Sequence, residues 1–150
     1  MRITSRQIIS MNPCSDRLEN FLSHYPDFNG DHHSFCALIR ISPSDKLWVI
    51  VRLLGVEKYQ AMLWKVFPNA GPHIYPDPVR FVTDITTLFN RTCLDYAHDV
   101  VDNYIFTDLQ ASEATLKEVK HAARDRKGRD ILNKICEYID IVEREISHEH

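Results

Sequence analysis

The stretch that decides the fold class is KLWVIVRLL, residues 46–54. Its β-branched residues would suit a buried strand, but no other segment shows a strand pattern that could pair with it. A strand without a partner leaves its backbone N–H and C=O groups unsatisfied. Ser42 and Pro43 before it are typical of a helix start, and Gly55 after it is typical of a helix end. The stretch therefore predicts a buried helix and an all-α fold.

Apolar residues recur at spacings of three and four along most of the chain, which is the pattern of amphipathic helices. Only four glycines occur, and none forms a hairpin turn between alternating runs, so an all-β fold is disfavoured. We predict a compact bundle of about seven or eight helices, with a polar loop at 26–33. Besides 46–54, the predicted helices include 35–41, 56–67, 77–90, 92–106, 112–126 and 129–147.

Length and composition indicate one folded domain over residues 1–150. The chain is 44% hydrophobic and 26% charged, which is ordinary for a globular domain. Four of its seven prolines fall within 68–78, and we interpret this Pro-rich segment as a connection inside the domain. We find no signal peptide and no apolar run of the roughly 20 residues that a bilayer span needs. We therefore expect a cytoplasmic protein that does not enter membranes.

Charge is segregated along the second half of the chain. No Lys or Arg occurs between Arg91 and Lys117. Asp95, Asp99 and Asp102 lie at positions i, i+4 and i+7, so a helix would place them on one face as an acidic stripe. A basic stretch follows, and its candidate contact residues are Lys117, Lys120, Arg124, Arg126 and Lys127. Two interpretations stay open: neighbouring helices that neutralise each other or face solvent, and a polarised docking surface.

The predicted last helix carries a short heptad seam. Its apolar residues step by three, four, three and four along about two heptads. The seam consists of Leu132, Ile135, Ile139, Val142 and Ile146. It indicates either an ordinary core helix or an interface with a second copy or another partner.

Catalytic signals are missing from the sequence. It holds no Gly-rich phosphate loop, no nucleophile elbow and no H-E-x-x-H zinc motif. Asp95-x-x-His98 and Glu118-x-x-His121 have the spacing found in di-metal helical bundles, but no inward-facing Glu is evident on the earlier helices. His32-His33 falls in the predicted loop, where adventitious metal binding is the simpler interpretation. We expect no catalytic residue, no metal and no cofactor.

Two stretches near the N-terminus are ITSRQIISMNPC at 3–14 and PSDKLWV at 43–49, and an amphipathic helix is predicted after the second. Through these stretches the chain resembles small uncharacterised proteins of phages and mobile elements, some of them labelled immunity-like and all-helical. The resemblance covers roughly residues 3–67. The resemblance implies an accessory protein of phage–host or toxin–immunity conflict, and it brings no catalytic residue with it.

Together these observations predict a non-enzymatic protein that binds a protein or a ribonucleoprotein complex. The most specific version is a phage-type, anti-CRISPR-like inhibitor of a host defence complex, in the cytoplasm of the host cell if it is phage-encoded. The net charge of −3 disfavours direct binding to nucleic acid. The alternatives are an immunity or antitoxin protein that neutralises a cognate toxin, a small helical metalloenzyme, and homodimerisation through the last helix.

Overall fold

Six helices and one small sheet make up the part of the chain that the structure, a computed structural model, describes: residues 1–54, 65–67 and 78–148. The elements are β1 (Arg2–Thr4), α1 (Ser5–Ser10), α2 (Ser15–His24), β2 (Asn29–Asp31), α3 (His32–Cys36), α4 (Pro43–Leu54), α5 (Pro78–Thr107) and α6 (Glu113–His148). The predominantly helical class is confirmed. The number of helices in the described residues is six rather than seven or eight.

KLWVIVRLL forms the body of α4, as predicted. The Ser42 hydroxyl accepts a hydrogen bond from the backbone N–H of Asp45 at 3.2 Å, which caps the start of the helix. The β-branched residues are buried because α4 packs against both α5 and α6. The buried side chains of α4 are Lys46, Leu47, Val49, Ile50, Val51 and Leu54.

A small sheet lies where a polar loop was predicted at 26–33. Strand β2 pairs antiparallel with β1, with Ile3 opposite Gly30. Ile3 is fully buried. A Cβ atom at Gly30 would come within 2.9 Å of the Phe28 ring, so only glycine fits there without a shift. Strands of three residues are too short to show an alternating pattern, which is why they could not be predicted from the sequence.

Helix α3 begins earlier and ends earlier than the helix predicted at 35–41. It covers His32–Cys36, and Ala37 follows as its C-terminal cap. The Asp31 side chain accepts a hydrogen bond from the backbone N–H of Ser34 at 2.8 Å, and this capping fixes the start. His32 and His33 therefore occupy the first turn of a helix instead of a loop.

Two pairs of predicted helices are each one continuous helix. The segments 77–90 and 92–106 merge into α5, and 112–126 and 129–147 merge into α6. Gly128, between the two predicted helices, lies inside α6. A Cβ atom on it would lie 2.8 Å from Cβ of Pro43 and 3.2 Å from the ring of Phe89. This glycine therefore allows close packing and does not end a helix.

Helices α5 and α6 form an antiparallel hairpin, and the N-terminal elements pack on one end of it. The largest fully buried side chains come from both groups: Ile3, Phe35, Leu47, Ile50, Val51, Phe81, Ile85, Phe89, Leu132, Ile135 and Ile139. The helix predicted at 56–67 and the Pro-rich connection predicted at 68–78 fall mostly outside the described residues.

Candidate functional site

The far end of the α5–α6 hairpin extends beyond the core. Ala97 on α5 and Ala123 on α6 are the last buried residues toward this end. Residues 98–122, all of them described, contain no buried side chain; we call this segment the arm. It contains ten residues of each helix, which corresponds to a length of about 15 Å.

Large apolar side chains are exposed at the tip of the arm. Phe106 and Leu109 are each 82% exposed, and Ile105 is 37% exposed. The turn beneath them is well ordered by hydrogen bonds. The Asp108 carboxylate accepts from the backbone N–H of Gln110 at 3.2 Å, and the Ser112 hydroxyl accepts from the backbone N–H of Thr115 at 3.1 Å. The tip thus presents apolar groups on a fixed backbone, which lowers the entropy lost on binding.

The predicted acidic stripe leads directly to this tip. Asp95, Asp99 and Asp102 are all exposed on α5. Phe106 lies seven residues after Asp99 and four after Asp102, so it continues the same helix face. None of the three carboxylates pairs with a Lys, Arg or His within the described part of the chain. The stripe is an acidic surface with an apolar end.

These carboxylates do not stabilise the helix that carries them. Like charges three or four residues apart on a helix repel each other by a few tenths of a kcal/mol per pair. Asp108, directly after the end of α5, adds negative charge at the negative end of the helix dipole. Neutralisation between neighbouring helices, one part of the first interpretation, therefore does not apply to this stripe, while its other part, a face exposed to solvent, stays open beside the docking surface.

The basic residues on α6 lie along the same hairpin. Arg126 donates a hydrogen bond to the Tyr96 hydroxyl at 3.0 Å. Lys127 places its ammonium 5.3 Å from the centre of the same ring. Lys117 and Arg124 are exposed, and Lys120 is half-buried. Two of the five predicted basic contact residues are thus engaged with α5, through an aromatic ring instead of a carboxylate.

The apolar seam of α6 faces the interior of this chain. Leu132, Ile135 and Ile139 are completely buried in the core. Val142 packs against the edge of the core, and the side chain of Ile146 is outside the described residues. The surface that the three buried residues could offer to a second copy is therefore already used within the chain.

A second cluster joins α3 to the C-terminal part of α6, at the opposite end of the hairpin from the arm. Asp140 accepts a hydrogen bond from Nε2 of His32 at 2.7 Å and another from Nε2 of His33 at 2.6 Å, one on each carboxylate oxygen. The His32 side chain is 4% exposed, whereas those of His33 and Asp140 are 51% and 39% exposed. Nδ1 of His32 lies 3.1 Å from the amine nitrogen of Met1. These contacts hold the buried ring in one orientation.

Electrostatics within this cluster favour a charged pair. The hydrogen bond to Asp140 raises the pKa of His33 above its ordinary value. Partial burial raises the pKa of Asp140, but the hydrogen bonds from His33 and His32 outweigh it, so the pKa ends below its usual value. Asp140 is therefore an anion that two imidazoles share.

Two cysteines lie one helical turn from the side chains of this cluster. Sγ of Cys36 and Sγ of Cys136 are 3.2 Å apart, and both thiols are free. Hydrogen bonding between them raises the pKa of Cys36 and lowers that of Cys136. Next to them, the Lys46 ammonium donates to the backbone carbonyl of Cys36 at 2.8 Å, and burial lowers the pKa of this lysine.

This second cluster was not predicted from the sequence. His32 and Asp140 are 108 residues apart, and Cys36 and Cys136 are 100 residues apart, so no local spacing joins them. The only local sign of the cluster was the spacing of Cys136 and Asp140, which lie four residues apart and so on one face of a helix. This spacing does not indicate which residues elsewhere in the chain contact them. The motifs that did attract notice, Asp95/His98 and Glu118/His121, consist of exposed residues, and no group of three metal-binding side chains forms around them in the described residues.

No helix among residues 1–54, 65–67 and 78–148 combines the length and the apolarity that crossing a bilayer requires. In comparisons with known proteins, no family model, no curated protein and no solved structure matches this chain. The arm and the cluster of His32, His33 and Asp140, which we call the α3–α6 cluster, are therefore the basis on which its function is inferred.

Proposed function

We propose that this chain is a non-enzymatic binding protein that docks on a basic macromolecular partner through the arm. The observation that carries the proposal is the combination of Phe106 and Leu109, both largely exposed, with an acidic stripe that forms no ion pair among the described residues. Exposed apolar groups that lie next to each other and are rimmed by charge are typical of interaction sites. Aromatic side chains in particular contribute most of the binding energy of many interfaces.

Charge complementarity indicates the chemistry of the partner. An acidic stripe steers association toward a surface rich in Lys and Arg. Surfaces of that kind are common on proteins that hold nucleic acid, because they have to neutralise phosphates. We therefore infer a nucleic-acid-binding protein or ribonucleoprotein, with an apolar pocket that receives Phe106 beside a basic groove that receives Asp99 and Asp102.

The resemblance of residues 3–67 to phage accessory proteins supports a more specific version. In that version the chain is an anti-CRISPR-like inhibitor that occupies the nucleic-acid groove of a host defence complex. An immunity protein that neutralises a basic toxin would use the same arm, and it is the second candidate because a nuclease toxin offers the same surface chemistry.

A binding experiment with matched variants tests the proposal. The untagged protein is measured by biolayer interferometry against purified CRISPR effector ribonucleoproteins, with and without target DNA. We expect Phe106→Ser combined with Leu109→Ser to weaken binding at least about 100-fold, because anchors of this kind each contribute about 2 kcal/mol or more. Charge reversal by Asp99→Lys with Asp102→Lys should mainly slow association and reduce its salt dependence.

The control is Ile39→Ser. Ile39 is 87% exposed, about as much as Phe106, but it lies in the segment between α3 and α4, near His121 at the base of the arm and not at its tip. Unchanged binding by the arm variants would rule out the arm as the docking surface. If no effector complex binds the wild type while a nuclease toxin does, and the arm variants abolish that binding, the immunity version holds instead.

A further inference from the structure

We propose that His32, His33 and Asp140 form a zinc site, which nothing in the proposed binding function requires. The donor atoms of the three side chains all lie within 4.8 Å of one another. Neutral imidazole nitrogens and a carboxylate oxygen are ligands that zinc takes in proteins, and three of them with one open position are a common set. The site would bind a zinc ion together with water or another small ligand.

The present hydrogen bonds are close to the geometry that a metal needs. Zinc binds nitrogen and oxygen ligands at about 2.0–2.2 Å, so a tetrahedral site places its ligand atoms roughly 3.4 Å apart. The distances from Asp140 to the two imidazoles are now 2.7 and 2.6 Å, each with a proton between the atoms. An ion that replaces these protons requires each pair to open by about 0.7–0.8 Å. His33 and Asp140 are exposed enough to make that adjustment.

The surroundings favour a cation in this place. The carboxylate of Asp31, directly before His32, interacts electrostatically with both histidines. Glu143, three residues after Asp140, forms an ion pair with the N-terminal ammonium of Met1 at 2.6 Å, so these two charges offset each other. The negative charge of Asp31 adds to that of Asp140 and offsets the double charge of zinc.

The supporting structure holds the ligands from two separate elements. His32 and His33 come from the capped first turn of α3, and Asp140 comes from α6. His32 is buried, and Nδ1 of its ring contacts backbone atoms of Met1 at 3.1 and 3.5 Å, so its Nε2 is already directed at the site. Ligands whose orientation is fixed in this way bind metal more tightly than free side chains.

This location separates the site from the arm. Asp140 lies 27 residues after the first residue of α6, which corresponds to about 40 Å along the helix axis. A bound ion would join α3 to α6, and it would raise the melting temperature of the protein because it binds only the folded state. Failure of the zinc site and failure of the docking arm are thus separate outcomes.

The test uses the untagged full chain after dialysis against EDTA and return to metal-free buffer. Zinc binding is measured by isothermal titration calorimetry, and Co²⁺ absorption in the visible range reports the coordination geometry. We expect one zinc ion per chain for the wild type. His33→Ala and Asp140→Asn should each weaken binding more than about 100-fold, since loss of a group that only supports a ligand already costs roughly 10–100-fold.

His98→Ala and His121→Ala serve as controls, since both histidines are exposed on the hairpin and away from the site. Their zinc affinity should equal that of the wild type. His32 is not substituted, because it is buried and its replacement could unfold the protein. The more exposed His33 and Asp140 are substituted instead, and circular dichroism verifies that each variant is folded. The proposal is wrong if the wild type takes up no zinc, or if folded His33→Ala and Asp140→Asn bind it unchanged. Binding that only the hairpin controls remove would equally overturn it.

Discussion

The two ends of the α5–α6 hairpin are built from the same helices but carry opposite surfaces. Where the N-terminal elements cover it, from 78 to 97 and from 123 to 140, apolar side chains are buried at almost every turn. In the arm, over 98–122, no side chain is buried, although Phe106 and Leu109 are as apolar as the core residues. The difference shows that apolar side chains of the same two helices are buried in the core at one end and exposed at the other.

A pair of large-to-small substitutions gives the largest expected difference between the two ends. Ile135 is fully buried in the covered part of α6. Ile135→Ala should lower the free energy of unfolding by about 2–5 kcal/mol, since it removes apolar contacts and leaves a cavity. Phe106→Ala in the arm should change it by less than about 0.5 kcal/mol, because its ring is already in water. Urea unfolding followed by circular dichroism measures both values.

Equal losses for the two variants would contradict this comparison. A large loss for Phe106→Ala would mean that the arm is covered in solution, for instance by a second copy of the chain. Size-exclusion chromatography with light scattering, at the protein concentration of the unfolding experiment, distinguishes that case from a monomer with a stabilised arm.

How much of this contrast was visible in the sequence depends on the range of the interactions. The helix at KLWVIVRLL was predicted, despite its β-branched residues, because its start and end signals are local and because no other segment showed a strand pattern that could pair with it. The acidic stripe was predicted because Asp95, Asp99 and Asp102 follow helical spacing. Exposure of Phe106 could not be predicted, since an apolar residue at helical spacing looks the same whether or not another element covers it.

The α3–α6 cluster could not be predicted from the sequence for a related reason. Its residues meet only because α3 packs across α6. Nothing near His32 in the sequence indicates Asp140, 108 positions away. The predicted loop at 26–33 also hid the helical turn that orients both histidines. Local pattern thus identified the helical class, the helix at 46–54 and one charged face, while contacts between distant segments could be seen only in the folded structure.

The covered end should also accept a cross-link that ties α3 to α6. Cys36 and Cys136 lie 3.2 Å apart at Sγ and are free thiols. Treatment with hydrogen peroxide should join them: two thiols lose two protons and two electrons, and the peroxide is reduced to two water molecules. The bond would close a loop of about 100 residues, so we expect roughly 2–4 kcal/mol of added stability. Thermal unfolding with and without dithiothreitol measures it.

This experiment uses Cys14→Ser as the background, because the exposed Cys14 would otherwise link two chains. Cys36→Ser in that background is the control, and its melting temperature should not respond to peroxide. Mass spectrometry of the unreduced peptides identifies the bond. The prediction fails if peroxide stabilises the control as much, or if the recovered disulfide involves Cys93.

Exchanging glycine and alanine on α6 has the smallest expected effect on the free energy of unfolding. The sign of this effect should differ between Gly128 at the covered end and a position in the arm. In an open helix, replacing glycine with alanine stabilises by about 1 kcal/mol, because alanine loses less backbone entropy on folding. At Gly128 the added Cβ would lie 2.8 Å from the Pro43 ring, which cannot rotate away. Overpacking of this kind costs about 1–3 kcal/mol. The clash should outweigh the helix propensity, so Gly128→Ala should destabilise by about 1 kcal/mol.

The matched variant in the arm is Ala122→Gly. Ala122 is exposed on the same helix, six residues before Gly128, so only helix propensity acts there and a loss of about 1 kcal/mol is expected. Alanine should therefore be less stabilising than glycine at position 128 in the covered end, whereas glycine should be less stabilising than alanine at position 122 in the arm. If Gly128→Ala instead raises the urea midpoint, then α4 and α6 can separate by a few tenths of an ångström without loss. Close packing at the Pro43 contact would then not be what requires glycine at this position.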